Sequence, residues 1–343
     1  MTKAGSRNSG LTDMRISVVV PVRNEQDSIR GLIELLLDQT LPPAEIVITD
    51  GGSSDSTPEI ITEFVQRGAP VQLIREAHAL PGRGRNISAA RAASEWLAFI
   101  DAGTQPERDW LEALALAVKS DTDVVYGTYE PIIDSRFKIC AVMAYVAPAF
   151  ESEGKQIRPN SIVSVLMKRS VWEQVGGFPE HLRSAEDLLF MRKIEQASFR
   201  TVRAPDALVH WDVEPNAVKT FKRFVRYARS NMRAGLWSEW QAPLFRRYGL
   251  LLLTALPAMI LGRLWLLVPV LLWLLLIAAR TAVSLTRNRG RYPASTLENA
   301  RRALVLGPLL AMLDVATIAG TLQWLFLDAL RTEPARAGLA DGA

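Results

Sequence analysis

Apolar positions along this chain fall into three regimes. In the first, short β-branched runs alternate with segments whose apolar residues recur every three or four positions. In the second, around 217–233, an apolar stripe shares a helix with lysines and arginines. In the third, from Gly249 onward, apolar residues are nearly continuous.

The first regime predicts strands at Ile16–Val20, Glu45–Thr49, Val71–Arg75 and Trp96–Ile100. Leu97–Ile100 is a short apolar run bounded by polar residues, which suits a strand covered on both faces. Between strands, Asp27–Gln39 places Ile29, Leu32, Ile33, Leu36 and Leu37 on one helical face. Thr57 before Pro58 marks a second helix start. Gly82–Asn86 reads as a basic, glycine-bearing loop leading into a helix over Ile87–Ser94. Further strands are expected at Asp123–Thr128, Ser161–Lys168 and from Arg200 to Trp211, with a short helix over Arg169–Val175. Strand–helix alternation at this spacing predicts an α/β, doubly wound, mainly parallel sheet. The stretch 131–156, with Tyr145, Phe150, Glu151 and Lys155, fits an acceptor-shaping insertion and ordinary packing equally.

The third regime predicts C-terminal transmembrane helices. As one helix, Gly249–Ala279 would be about 46 Å long, too much for a hydrocarbon core of about 30 Å. Arg263, Pro257 and Pro269 interrupt it, so a hairpin turning near Gly262–Arg263 is expected, either crossing twice or re-entering. Arg280, Arg287, Arg289, Arg291, Arg301 and Arg302 crowd a basic stretch 280–302 that belongs on the cytoplasmic side. Ala303–Leu327 is a third apolar segment, and Asp314 within it must be paired or functional. The expected divisions are a disordered 1–13, a catalytic-type domain over 14–215, basic interface helices over 216–248, a membrane part over 249–327 and a disordered 328–343.

Composition narrows this little. One cysteine, Cys140, excludes an intrachain disulfide and a cysteine-rich zinc site, and a reducing compartment fits. Residues 1–13 lack a signal-peptide pattern, so the head is expected to stay on the side where it is made. The net charge of +4 matters less than its placement, and no nucleic-acid partner is expected.

The candidate chemistry lies at strand ends: Glu25, Asp50 and Asp101 each follow a predicted strand. Ligands of open α/β sheets bind at that edge. Each has a plainer reading. Asn24 can cap the next helix with Glu25 serving its dipole, and Asp101 can start the turn Asp-Ala-Gly-Thr-Gln-Pro. Ser184-Ala185-Glu186-Asp187 fits a capping box. A nicotinamide-binding domain is not expected and stands as a distant third alternative, since Gly82-Arg83-Gly84-Arg85-Asn86-Ile87 follows the third strand and lacks the last glycine.

Together, however, Val19-Val20-Pro21-Val22-Arg23-Asn24-Glu25, Ile48–Thr57, Gly82–Ala93, Phe99–Thr104, Gly176-Gly177-Phe178 and Glu186-Asp187 resemble the family 2 glycosyltransferases over roughly 15–235. The resemblance implies a GT-A fold and an inverting transfer from a nucleotide-diphosphate sugar. It implies a donor site made by Pro21, Arg23, Glu25, Asp50, Arg83, Arg85 and Asp101, with Arg226 and Tyr227 contributing. It further implies that Asp101 holds Mg2+ or Mn2+, that Asp187 is the base, and that Glu186 orients the acceptor. Two positions depart from the family pattern: Gly103 stands where a second metal-binding acid is usual, and Gly51 where many relatives carry an acid. Some relatives place a metal-binding histidine where this chain has His210, although a lone histidine is ordinarily structural. Arg223-Phe224-Val225-Arg226-Tyr227 is similar to the Gln-x-x-Arg-Trp motif of processive relatives, and also fits a basic amphipathic helix on anionic lipid.

The expected function is therefore a multi-pass enzyme of the cytoplasmic membrane, its head facing the cytoplasm, serving a lipid-linked (polyprenyl) or membrane-proximal acceptor in envelope or exopolysaccharide assembly. A polyprenyl-phosphate sugar synthase and a non-catalytic nucleotide-sugar-binding scaffold are the alternatives.

Overall fold

The computed structural model describes residues 14–152 and 154–330, so the expectations for 1–13 and 331–343 lie outside the described residues. The chain divides into two compact units, one running to Ile132 and resuming over Ala147–Asp212, the other made of Ile133–Val146 and the chain from Val213. The segment 133–146 thus leaves the first unit and joins the second.

In chain order the first unit begins β1 (Ile16–Val22), α1 (Ile29–Leu37), β2 (Glu45–Asp50), α2 (Thr57–Gln66) and β3 (Val71–Arg75). Next come α3 (Pro81–Arg91), β4 (Trp96–Phe99), β5 (Thr104–Pro106), α4 (Trp110–Leu116) and β6 (Val124–Ile132). After α5 (Arg136–Tyr145), which belongs to the second unit, follow β7 (Phe150–Ser152), β8 (Lys155–Ile157), β9 (Val165–Lys168), α6 (Arg169–Gln174), α7 (Glu186–Gln196) and β10 (Thr201–Asp212).

One sheet runs β3-β2-β1-β4-β9-β6-β10-β5. Its first four strands are parallel, with Val22 opposite Asp50 and Val19 opposite Phe99. β9 is antiparallel to both β4 and β6, and β5 is antiparallel to β10. The order reverses between β1 and β4, so the loops after β2, β1 and β4 open at one topological switch point. Val18, Val20, Ile46, Ile48 and Ala98 pack on one face of the sheet; Val19, Val47, Leu97 and Phe99 pack on the other. That two-sided burial explains the continuous apolar runs.

The predicted loop Gly82–Asn86 is instead the first turn of α3, entered through Pro81 at its first positions. Its glycines serve close packing. A Cβ on Gly82 would stand 2.2 Å from the Pro179 carbonyl oxygen, and one on Gly84 3.2 Å from Pro21 Cβ.

The second unit comprises α5, α8 (Ala217–Arg233), α9 (Trp237–Trp240), α10 (Ala242–Leu253), α11 (Ala258–Leu261), a 3-10 turn (Arg263–Leu266), α12 (Leu267–Arg287), α13 (Thr296–Trp324) and a π turn (Leu325–Ala329). The chain reverses at Gly262, whose φ of +90° suits glycine, where the hairpin turn is expected. α12 then runs unbroken to Arg287 and α13 starts at Thr296, which shortens the predicted basic loop to 288–295. Cys140, Met143, Leu306, Leu309, Leu310 and Leu313 form the core of this unit. Arg263–Arg287 and Thr296–Ala329 are long and apolar enough to cross a membrane. Asp328, expected in a disordered tail, sits in the π turn and binds Arg229 and Arg233.

Candidate active site

Arg85 is the centre of the candidate site. It lies on the first turns of α3, is 4% exposed, and its guanidinium stands 5.4 Å from the ring centre of Phe178. Its Nη2 donates to Asp101 Oδ1 at 2.7 Å and its Nη1 to Glu186 Oε1 at 2.6 Å. One planar fork thus joins the carboxyl end of β4 to the start of α7. Asp187, next to Glu186, spends one carboxylate oxygen on the N–H of Leu188. Burial pushes the carboxyls of Glu186 and Asp187 upward, and although Arg85 pulls both back, the balance stays upward. Burial opposes the charge of Arg85, but Asp101, Glu186 and Asp187 together raise its pKa.

The capping-box reading of 184–187 does not hold. α7 is preceded by Ala185 in the left-handed region at φ +71°, without a side-chain cap, and the buried Ser184 hydroxyl has no partner among the described residues. A non-glycine residue held there is strained. The strained turn delivers both acids at the start of a helix.

The loops after β1 and β2 are knitted together. Asn24, at φ +57°, donates its N–H to Ser53 Oγ and accepts from the Ser54 N–H, both at 2.8 Å, so it caps no helix. The N–H of Glu25 donates to Thr57 Oγ1, while its carboxylate accepts from Ser28 Oγ at 2.6 Å. Burial raises the Glu25 pKa, Ser28 opposes this, and the charge of Asp101 adds to the rise. Asp50, fully buried at the end of β2, accepts from the Ser53 N–H at 3.1 Å and from its hydroxyl. A Cβ on Gly51 would lie 2.4 Å from the Ala79 carbonyl oxygen, which explains why no acid stands there. Gly103 has nothing within 4 Å, so its lack of a side chain is not forced by packing.

Arg83 lies outside this cluster, engaged by Glu76 at 2.7 Å and Glu180 at 3.0 Å. Pro21 packs against Gly84 at the end of β1, and Arg23 is exposed in the loop beyond it. His210, on β10, binds Glu107 Oε1 through Nε2 at 2.6 Å. Among the described residues no group of three or more His, Cys, Asp or Glu comes together to hold a metal. A divalent cation fits Asp101 only in the mode in which one carboxylate is joined by substrate phosphates and water. Asp101 suits that mode, since its side chain is 37% exposed and only Oδ1 is given to Arg85. In the second unit, Arg226 is exposed on α8, and the Tyr227 hydroxyl accepts from Arg223 Nε at 2.7 Å.

Asn86 was not singled out by its sequence. Its amide donates to the Phe178 carbonyl oxygen and Glu180, and its oxygen accepts from the Phe178 N–H and Trp172 Nε1. It thereby fixes the ring that floors Arg85. An amide at the end of a predicted glycine-bearing loop, able both to donate and to accept, was the only available signal.

Residues 17–168 match the family model described as Glycosyl transferase family 2. Over that stretch the chain is similar to the family 2 glycosyltransferases. Proteins similar to this chain include the glycosyltransferase AglE of Haloferax volcanii, 26% identical over 205 residues, covering 56% of this chain and 65% of that one. The putative glycosyltransferase EpsH of Bacillus subtilis is 32% identical over 114 residues, 33% of each chain. The pre-mycofactocin glycosyltransferase of Mycobacterium tuberculosis is 26% identical over 220 residues, 60% of this chain and 44% of that one. The chain thus spans between a third and just under two thirds of the length of these relatives. Among solved structures, the mannosyltransferase PcManGT from Pyrobaculum calidifontis, in complex with GDP-Man and Mn2+, matches with a TM-score of 0.54 at 20% identity. That match covers 92% of this chain and 89% of that one, a likeness of fold. The GT-A expectation is borne out.

Proposed function

We propose that this glycosyltransferase moves a sugar, with inversion, from a nucleotide-diphosphate donor to a lipid-linked or membrane-proximal acceptor in envelope or exopolysaccharide assembly. The observation that carries the reading is the Arg85 bridge, which holds Asp101 and the Glu186–Asp187 pair around one point at the sheet's switch edge.

The donor lies over the loops after β1, β2 and β4, with Pro21, Arg23, Glu25 and Asp50 near its nucleoside. Asp101 is the residue that would hold Mg2+ or Mn2+, and the ion supplies positive charge to the leaving diphosphate. A metal–donor pair of this kind is bound by the mannosyltransferase of like fold. His210, held by Glu107, is left out of the ligand set. Arg85 is enclosed by its two carboxylates, so its role is to position Asp101 and Glu186 rather than to grip phosphate. Arg83, occupied by Glu76 and Glu180, is likewise left out of the donor site. Asp187 takes the proton of the acceptor hydroxyl as its oxygen attacks the anomeric carbon, and the carbon–phosphate oxygen bond breaks on the opposite face. Arg226 and Tyr227 lie on the basic helix α8 of the second unit. The apolar helices anchor the enzyme to the cytoplasmic membrane, with the head on the cytoplasmic side where nucleotide sugars are made.

A thermal-shift panel of nucleotide sugars, with and without Mn2+, tests the donor half. The expected outcome is a rise in Tm for one nucleotide class that grows with metal and is lost in Asp101→Ala. Equal shifts without metal, or with Ala at 101, contradict it.

A further inference from the structure

We infer that only the hairpin running from Ala242 to Arg287 enters the bilayer, that it crosses fully, and that the final long helix, α13, does not cross. The inference rests on the membrane reading above and replaces the expected third crossing over 303–327.

Composition marks α13 as a span, but its neighbours forbid it. Leu306, Leu309, Leu310, Leu313 and Ala316 are buried within the second unit. At Gly320 a Cβ would stand 2.2 Å from the Val225 carbonyl oxygen and 2.8 Å from Ala228 Cβ, so α8 lies backbone-close against the last third of α13. Beyond that contact, Arg229 and Arg233 of α8 both pair with Asp328. α8 also carries Lys219, Lys222, Arg223 and Arg226. If α13 crossed from Ala303, Gly320 would lie about 25 Å into a core of about 30 Å. That would draw a helix with six cations into hydrocarbon, where each such charge is expensive.

The hairpin has the opposite character. Ile260 is 89% exposed and Leu264 79%, and Leu252, Leu256, Leu271 and Leu275 are exposed with them. Its charges sit at two levels. Arg246, Arg247 and Arg280 mark the near end, and Arg263 marks the turn. From Arg263 to Arg280 the helical rise is about 25 Å, which two arginines reaching outward extend to the full core. At the near end Asp314 accepts from the Tyr248 hydroxyl at 2.8 Å and pairs with Arg280, which accounts for an acid in an apolar helix. Trp273 Nε1 donates to the same Tyr248 oxygen at 3.2 Å, tying the two arms of the hairpin together. The occupant that fits this surface is a bilayer with headgroups at both arginine levels.

Cysteine labelling tests the arrangement in the full chain. The lone native Cys140 is buried, so wild type serves as the blank. Single variants Val218→Cys on α8, Leu264→Cys at the turn and Leu330→Cys after α13 place thiols at exposed positions. Each is treated with a membrane-impermeant maleimide in right-side-out and inverted vesicles, after alkaline carbonate extraction of the same preparations. Retention in the carbonate pellet reports insertion itself, and loss of the protein from the pellet overturns the membrane reading and this one together. With retention, the expected result is that Val218→Cys and Leu330→Cys label in one vesicle orientation and Leu264→Cys only in the other. Labelling of Leu330→Cys from the face opposite Val218→Cys overturns the inference alone. So does labelling of Leu264→Cys from the Val218 face, or only after detergent.

Discussion

Arg85 meets two carboxylates with one planar fork, and a lysine in its place can reach only one of them. If its work is positioning, Arg85→Lys should leave donor affinity within about threefold while kcat falls about 100-fold, the cost of a misplacement of about 1 Å. Steady-state kinetics beside donor titration separate these outcomes, and a parallel loss of donor affinity would make Arg85 a donor ligand. Gly103 offers a second test. Its surroundings are open, so Gly103→Asp should fold normally and lower the metal concentration needed for half-maximal turnover. An unchanged metal requirement would show that Asp101 does not hold the ion. At this scale the residue types were readable from the chain, but their directions were not. Arg83 and Arg85 look alike in a glycine-bearing loop. In the first turn of a helix they are two positions apart and face different neighbours, one at Glu76 and Glu180, the other at Asp101 and Glu186.

Elements carry these residues to one place through close backbone approaches. α3 reaches β1 and the 179–186 loop only because Gly82 and Gly84 have no side chains. α7 begins on a left-handed Ala185, which costs about 1–2 kcal/mol. Ala185→Gly should relieve that strain and raise Tm, while loosening Glu186 and Asp187 enough to lower kcat. Calorimetry and turnover on the same preparation check both signs, and a higher Tm with unchanged kcat would mean that the turn does not aim the acids. β1–β4, β6, β9 and β10 were legible from their apolar runs to within a few residues, whereas β5, β7 and β8, three residues each, were not expected. The antiparallel insertion of β9 between β4 and β6 was not, because an apolar run covered on both faces has the same composition whichever way it runs. The strained turn was hidden too, since Ser184 three residues before Asp187 imitates a cap that the backbone does not form.

For the whole molecule, the order of motifs pointed to the sheet edge that carries Asp101, and the late apolar excess to the helices long and apolar enough to cross a membrane. Which apolar helix meets lipid could not be read from hydropathy, since a helix buried against α5 and α8 is as apolar as one in a bilayer. The charge balance of the site also belongs to this scale. Folding favours the neutral form of Asp187, so the associated stability is fully present below the ordinary value of 3.8 and drains away as pH rises through the raised one. Asp187→Asn should therefore melt higher than wild type at pH 8 and match it more closely at low pH. The acid limb of kcat/KM in wild type should fall above pH 3.8, because the base must be ionised to work. The measurement that bears most directly on the central claim is sugar transfer by Asp187→Asn at saturating donor and metal. The account predicts donor binding like wild type with transfer reduced by about 10²–10⁴. Transfer at the wild-type rate would contradict it.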